Sequence, residues 1–286
     1  ADVIVVRGCS VTARAQRDCE KAIAKLRREW PKAKVIVTGC LENANDGRQL
    51  RFHQCFANAP QGGTGKDETR VEPRTDRRFA VPMMTARAYL KVQDGCAGRC
   101  AFCVVPRFRG APRSIPFTDV KTRAAAFLDA GYREIVVTGC NLALYRSEGR
   151  GLGELMGELA GGPWRMADGG REGRWRVRLG SLEPGVCDEA VLKAVAEHGN
   201  ICRFLHLSVQ SGSDAVLKRM NRPYSAAALE RFVAAALELV PGLALGADVI
   251  TGFPGETDAE FEETRNFLGR FPFPNLHVFP YSERPG

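Results

Sequence analysis

The chain has 286 residues, 44% of them hydrophobic and 26% charged, which allows a buried core and excludes a disordered or fibrous chain. No apolar run approaches the about 20 residues a membrane span needs, and no signal peptide is visible over the first ten residues. Lys and Arg outnumber Asp and Glu by 41 to 33, a formal net charge of +8 that suits an anionic partner, nucleic acid foremost. Ten cysteines in a chain long enough to build a core fit metal-ligating thiols in a reducing cytoplasm better than a disulfide framework.

Val3-Ile4-Val5-Val6 and Val35-Ile36-Val37 read as short buried strands, each followed by Gly. Between them Cys19, Ile23, Leu26 and Trp30 recur at helical spacing, with Pro31 closing the helix. The result is a parallel β-α-β unit. Because Ala1-Asp2 stands directly before the first run, the chain reads as truncated ahead of it. From about residue 43 to 80 periodicity fails, and Gly62-Gly63 with Arg70, Arg74, Arg77 and Arg78 mark an exposed linker. The domain boundary is set at 78/79.

Beyond it, strands are expected at Ala88 to Val92, Glu134 to Thr138, Arg176 to Gly180, Phe204 to Val209, Leu245 to Thr251 and Leu276 to Phe279. Helices at Asp119 to Ala130, Asp188 to His198, Ala226 to Leu239 and Asp258 to Leu268 alternate with them. The last carries Thr257 as N-cap with Glu260 as capping-box partner. Gly161 to Gly173 reads as an exposed excursion. The expected fold class is α/β: a small parallel β-α-β domain over 1–78, then a partial (β/α)6 barrel over 79–286 with its chemistry at the carboxyl ends of the strands.

Cys96, Cys100 and Cys103 form a C-x3-C-x2-C loop after the strand ending near Val92. Three thiolates in that span grip three corners of a [4Fe–4S] cube and leave one iron for a non-protein ligand. Structural zinc is the alternative, but it usually wants four closed ligands, and His53 and Cys140 are distant in sequence. Cys9 and Cys40 each follow a strand of the parallel pair, which brings them to one edge of the sheet; taken alone, two such cysteines are more often inert buried thiols than ligands. Cys19, Cys140, Cys187 and Cys202 have no paired spacing and read as buried packing residues; Cys55 has nothing to recommend it as a ligand.

The loop, with Phe102 before its last Cys, resembles the signature of radical S-adenosylmethionine enzymes. Val92-Gln93-Asp94-Gly95-Cys96, Val104-Val105-Pro106-Arg107-Phe108-Arg109-Gly110, Gln210-Ser211-Gly212-Ser213-Asp214 and Gly252-Phe253-Pro254-Gly255-Glu256-Thr257 are similar to successive blocks of the methylthiotransferase family. The resemblance implies two [4Fe–4S] clusters in the complete protein, S-adenosylmethionine, and an electron donor such as flavodoxin or ferredoxin. Cys96, Cys100 and Cys103 would hold the catalytic cluster. Gly8-Cys9 and Gly39-Cys40 match two ligand positions of an auxiliary cluster, whose first ligand would lie upstream of Ala1. In that family a 5′-deoxyadenosyl radical takes a hydrogen from the substrate, and a methylthio group replaces it.

The same resemblance implies a cofactor pocket with Phe102 against the adenine, Thr138-Gly139 facing the methionine end, and Glu183 near the ribose or amino group. Ser181, Gln210 and Asp248 complete it along the strand ends. His277-Val278-Phe279-Pro280-Tyr281-Ser282 looks most like the branch acting on N6-threonylcarbamoyladenosine of tRNA, and Arg107, Arg109 and Arg113 would meet phosphates. The other branches modify isopentenyladenosine in tRNA or an aspartate of a ribosomal protein; a non-catalytic iron–sulfur RNA-binding paralogue is the reading from a different class. A cytoplasmic protein without membrane or DNA partners is expected, and the carboxyl-terminal RNA-binding β-barrel of the family reads as absent beyond Gly286.

Overall fold

Two β-branched runs, Val3–Gly8 (β1) and Lys34–Gly39 (β2), pair in parallel, and the helix Ala13–Glu29 (α1) makes the crossover that parallel pairing demands. The computed structural model describes residues 3–8, 13–39, 86–162, 175–184 and 189–284. Ala15, Gln16, Cys19, Ile23 and Leu26 are the half-buried face of α1, which packs on both strands. Trp30 does not continue that face. The helix stops at Glu29 and Trp30 is 49% exposed, because the residue before a proline is driven out of the helical region. β1 and β2 end level, Gly8 opposite Gly39. Cys9 and Cys40 come next in sequence but lie outside the described residues, as do His53, Cys55, Cys187, the 43–80 segment and most of the expected excursion at 161–173.

The chain divides at Met84/Thr85 into two compact units. The second begins with Arg87–Lys91 (β3), the two-residue strand Gln93–Asp94 (β4), the short helix Val105–Arg109 (α2), Arg113–Ser114 (β5), Phe117–Asp129 (α3) and Glu134–Thr138 (β6). Leu152–Gly161 (α4), Arg176–Leu179 (β7), Ser181–Leu182 (β8), Glu189–Glu197 (α5) and Phe204–Gln210 (β9) follow. The unit continues with Asp214–Arg219 (α6), Ala226–Leu239 (α7), Ala244–Thr251 (β10), Asp258–Gly269 (α8) and Asn275–Pro280 (β11).

Two parallel runs, β3-β6-β7 and β8-β9-β10-β11, make the sheet. Only Gly180 separates β7 from β8, and a bridge from Val177 to Ile201 joins the runs into one open arc of consecutive β-α units. This is the expected partial barrel.

One face of each of β3, β6, β7, β9 and β10 enters the helix-covered core: Ala88 and Leu90, Ile135 and Val137, Val177 and Leu179, Leu205, Leu207 and Val209, Leu245, Ala247 and Val249, whereas β11 is exposed along its length. Strand alternation therefore puts Arg87, Glu134, Arg178, His206 and Asp248 on the other face. Leu152, Leu155, Met156 and Leu159 of α4, a helix not read from the sequence, are buried in the same core. Truncating one such leucine to Ala would cost about 2–5 kcal/mol. α8 begins as expected: Thr257 Oγ1 accepts from Glu260 N (3.3 Å) while the Glu260 carboxylate accepts from Thr257 N (2.8 Å).

At the amino-terminal ends of the strands one buried carboxylate is surrounded. Glu134 meets Arg178 at 2.8 Å, Arg87 at 2.9 Å and Arg176 at 3.5 Å. Burial works against its charge, but the three guanidinium groups outweigh it and hold the carboxyl below its ordinary value. Among the described residues, no helix is long and apolar enough to cross a membrane.

Candidate metal centre

The thiol loop leaves β4 through Gly95, whose φ of +72° favours glycine, and a Cβ there would stand 2.1 Å from the carbonyl oxygen of Ala111. Antiparallel pairing of β4 with β5 and a bond from Cys96 N to Gly110 O (3.0 Å) close the loop on itself. Asp94 anchors its start, accepting from Gly95 N (3.0 Å) and pairing with Lys91 (2.6 Å) and Arg109 (3.8 Å).

All three thiols are half-buried. Gly98 N donates to Cys96 Sγ (3.2 Å), Val105 N to Cys103 Sγ (3.4 Å), and Arg222 Nη1 to Cys100 Sγ (3.0 Å). A Cβ at Gly98 would lie 3.2 Å from Cys96 Sγ and 3.8 Å from Cys100 Sγ, so glycine keeps the space beside the thiols open. Burial pushes the Cys103 thiol up, the Val105 N–H pulls it down, and the Cys100 and Cys96 thiols add to the rise. Three thiols on one short loop that already receive N–H bonds are a donor set that an iron cluster suits.

The loop is fastened to the carboxyl end of the arc. Ala101 N donates to Met220 O (3.0 Å), and Asn221 Nδ2 donates to Arg99 O (2.7 Å). Phe102 packs on a small apolar cluster of Val216, Met220 and Phe253 with Ile250 and Tyr281.

Beside the thiols stands a polar wall that sequence reasoning reached only in part. Gln93 is fully buried; its Oε1 accepts from Asn141 N (2.9 Å) and its Nε2 donates to Gly95 O (2.7 Å). Asn141 Nδ2 donates to Glu183 Oε2, and Glu183 Oε1 pairs with Arg222 at 2.9 Å. Asn141 Oδ1 is a buried acceptor with no hydrogen-bond partner among the described residues. Gln93, Asn141 and Arg222 carried no periodic or spacing signal; only the Gly-Cys-Asn run after β6 pointed near the second.

The other expected pocket residues lie at the strand ends, except Asp248, which was expected there and sits inside its strand. Thr138 closes β6 half-buried, with Gly139 exposed after it and pressed on Gln93. Ser181 is exposed on β8, and Gln210 ends β9 buried with φ +65°, a strained value for a side chain of its size. Asp248 sits within β10, where it meets His206 Nε2 (2.8 Å) and His277 Nδ1 (3.2 Å). Arg107 and Arg113 are exposed near the loop, whereas Arg109 turns towards Asp94.

The reading of the unpaired cysteines needs a correction. Cys140 is exposed rather than buried, and it lies beside the thiol loop, its Sγ 3.2 Å from Asp94 Oδ1. Parallel strands bring the residues after β6 next to those after β3, however distant they are in sequence. Burial of the thiol and the Asp94 carboxylate push its pKa up to about 11, so it is held as a neutral donor to Asp94. Cys19 and Cys202 are half-buried.

A profile of the radical SAM superfamily matches residues 90–268, and one of the uncharacterized protein family UPF0004 matches residues 1–57. The chain is 33% identical over its whole length to the threonylcarbamoyladenosine tRNA methylthiotransferase MtaB of Bacillus subtilis, 66% of which it covers. It is equally 33% identical over its whole length to a tRNA-2-methylthio-N(6)-dimethylallyladenosine synthase of Cereibacter sphaeroides, covering 68% of that protein. The chain belongs to the radical SAM methylthiotransferase family. It spans about two thirds of the length of these methylthiotransferases. In fold, the methylthiotransferase barrel is similar to the radical S-adenosylmethionine methyltransferase TsrM of Kitasatospora setae, with a TM-score of 0.55 at 17% identity over 68% of this chain and 35% of that one.

Proposed function

We propose that this protein is a cytoplasmic radical SAM methylthiotransferase that adds a methylthio group to N6-threonylcarbamoyladenosine beside the anticodon of tRNA. The observation that carries the reading is the set of three half-buried thiols on one loop, each receiving an N–H bond, with the space beside Cys96 and Cys100 kept open at Gly98. Cys96, Cys100 and Cys103 would hold a [4Fe–4S] cluster there. When bound, that cluster supplies the electron that cleaves S-adenosylmethionine to the radical that activates the substrate.

The chain's own residues have separable tasks. Phe102 presents an apolar face to the adenine. The unpartnered Asn141 Oδ1 suits the ammonium of the methionine moiety, a donor that would satisfy it, with Thr138 and Gly139 on the same strand end. Glu183, Ser181, Gln210 and Asp248 supply the remaining polar contacts along the arc, Asp248 while holding two histidines. In the first unit, Cys9 and Cys40 would ligate the auxiliary cluster that donates sulfur. Arg107, Arg109 and Arg113 would meet the anticodon-loop phosphates, a role that the net charge of +8 supports.

The nucleoside is chosen on the relatives named for threonylcarbamoyladenosine and on the segment His277 to Ser282. Dimethylallyladenosine is the second reading, because a relative named for it is equally similar. Mass spectrometry of tRNA nucleosides from a deletion strain separates them. Loss of the methylthio mark on threonylcarbamoyladenosine alone is expected. Its loss on dimethylallyladenosine alone favours the second reading, and an unchanged tRNA profile defeats both in favour of a ribosomal protein substrate. Replacing Arg107, Arg109 and Arg113 together by Ala should weaken tRNA binding and flatten its salt dependence by up to about three in slope.

A further inference from the structure

Arg222 lies in the turn between α6 and α7, with its side chain only 6% exposed. Its guanidinium is fixed on every side. Nε and Nη2 donate to Tyr224 Oη (2.9 and 2.6 Å), Nη2 pairs with Glu183 Oε1 (2.9 Å), and Nη1 donates to Cys100 Sγ (3.0 Å). Tyr224 Oη in turn donates to Ser208 O at 2.6 Å, and the guanidinium carbon lies 4.8 Å from the Tyr224 ring centre. A guanidinium stays protonated in proteins, so the group is a permanent cation held in place by these contacts.

The three thiols are therefore unequal. Cys96 and Cys103 receive bonds from neutral backbone N–H groups, and Cys96 also a distant amide at 4.0 Å from Asn141. Cys100 alone among them receives a bond from a full, buried positive charge.

We propose that Arg222 is a positioning residue that sets the reduction potential of the cluster held by Cys96, Cys100 and Cys103, with Glu183 opposing it; this rests on the cluster assignment above. Adding one electron to a [4Fe–4S] cluster adds a unit of negative charge spread over iron and sulfur. Hydrogen bonds to the sulfurs and nearby net charge set the potential for that step. A cation bonded to a ligand sulfur stabilises the reduced state more than the oxidised one. The Glu183 carboxylate, ion-paired to the same guanidinium, acts in the opposite sense. The electron itself comes from an external one-electron donor.

The test is a redox titration followed by electron paramagnetic resonance, on anaerobically reconstituted full chain without S-adenosylmethionine. The titrant is dithionite, and the iron content of each sample is measured. Arg222→Met should lower the reduced-to-oxidised ratio at a given potential about tenfold, which is about 59 mV for one electron. Arg222→Lys should recover part of that shift, and Glu183→Gln should move the potential upwards. If Arg222→Met holds no cluster, Arg222→Gln and Glu183→Gln carry the test, since the first removes the charge while keeping a donor and the second changes the charge of an isosteric group. A full cluster whose potential is the same in all variants overturns the proposal, as does a downward shift in Glu183→Gln. Weakened binding of S-adenosylmethionine by Arg222→Met at unchanged potential does so as well, and assigns the residue to the cofactor instead. Iron absent from the unsubstituted chain would sink the cluster assignment itself, a different failure.

Discussion

The two ends of the same arc use the same residue types to opposite effect. At the amino-terminal ends of the strands, one buried carboxylate, Glu134, is surrounded by three arginines, and its capacity to accept is spent inside the protein. At the carboxyl ends, one buried arginine, Arg222, is divided between Glu183 and the Cys100 thiol, and Asn141 Oδ1 next to them has no partner among the described residues. The first arrangement is complete and serves the fold. The second leaves a buried acceptor open among the described residues, and that difference separates a candidate site from a brace in a barrel whose two ends share one scaffold.

The sharpest way to break the contrast is to empty the carboxyl end. Replacing Cys96, Cys100 or Cys103 by Ala should abolish barrel-bound iron and cleavage of S-adenosylmethionine, while the melting temperature of the metal-free chain stays nearly unchanged. Iron analysis and a 5′-deoxyadenosine assay check it, and persisting cleavage would refute the ligand assignment.

At the other end the effects should reverse. Glu134→Gln leaves three guanidinium groups without their shared anion and should cost about 2–3 kcal/mol, read as a lower melting temperature, because removing one partner of a buried ionic cluster strands the rest. Iron content per chain should not change. A loss of iron with no loss of stability would show that the two ends are not separable.

The smallest effect belongs to an exposed pair that sharpens the comparison. Glu260 binds Arg219 through both oxygens (2.9 and 2.8 Å), and this partner, with the Thr257 cap, lowers its pKa from an ordinary 4.5 to about 2. A depressed carboxyl contributes its stability above the unfolded value and loses it as pH falls through the folded one. The contribution should thus be present above pH 4.5 and fade between 4.5 and about 2. Comparing melting temperatures of the unsubstituted chain and Glu260→Gln from pH 6 downwards should show a small gap that closes over that window. Solvent screening keeps it well below the Glu134 effect.

Much of the arc was legible because its strands are short β-branched runs between turn residues, and the observed ends fall within two residues of those expected, as at Glu134–Thr138 and Ala244–Thr251. α4 escaped because Gly153, Gly157 and Gly161 interrupt its apolar stripe and argue against a helix. The glycine is there for contact instead: a Cβ at Gly153 would come 2.6 Å from Ala190 of α5. Trp30 fitted the spacing of α1 and was still excluded, since Pro31 acts on backbone geometry that a hydrophobic pattern does not register.

The thiol triplet was legible because its spacing is local. Arg222 was not, being 122 residues from Cys100, nor was Asn141, 42 residues from Glu183. Cys140 was misread for the same reason, since parallel crossovers make neighbours of residues that sequence separates. Charge partners of this kind follow from topology, and only a sheet order supplies them.

The single residue Gly180 has a consequence for how this chain can change over generations. Val177 and Leu179 point into the core before it and Leu182 does so after it, so the alternation slips by one position there and turns Glu183 towards Asn141 and Arg222. Any inserted or deleted residue between Gly180 and Glu183 would exchange the two side chains, sending a carboxylate into the apolar layer and a leucine to the thiols. The turn between Ser147 and Arg150 can absorb changes of length at its tip, since Glu148 and Gly149 are both exposed. The segment after Gly180 cannot take a new residue count, because its register decides which side chain meets the core and which meets Arg222.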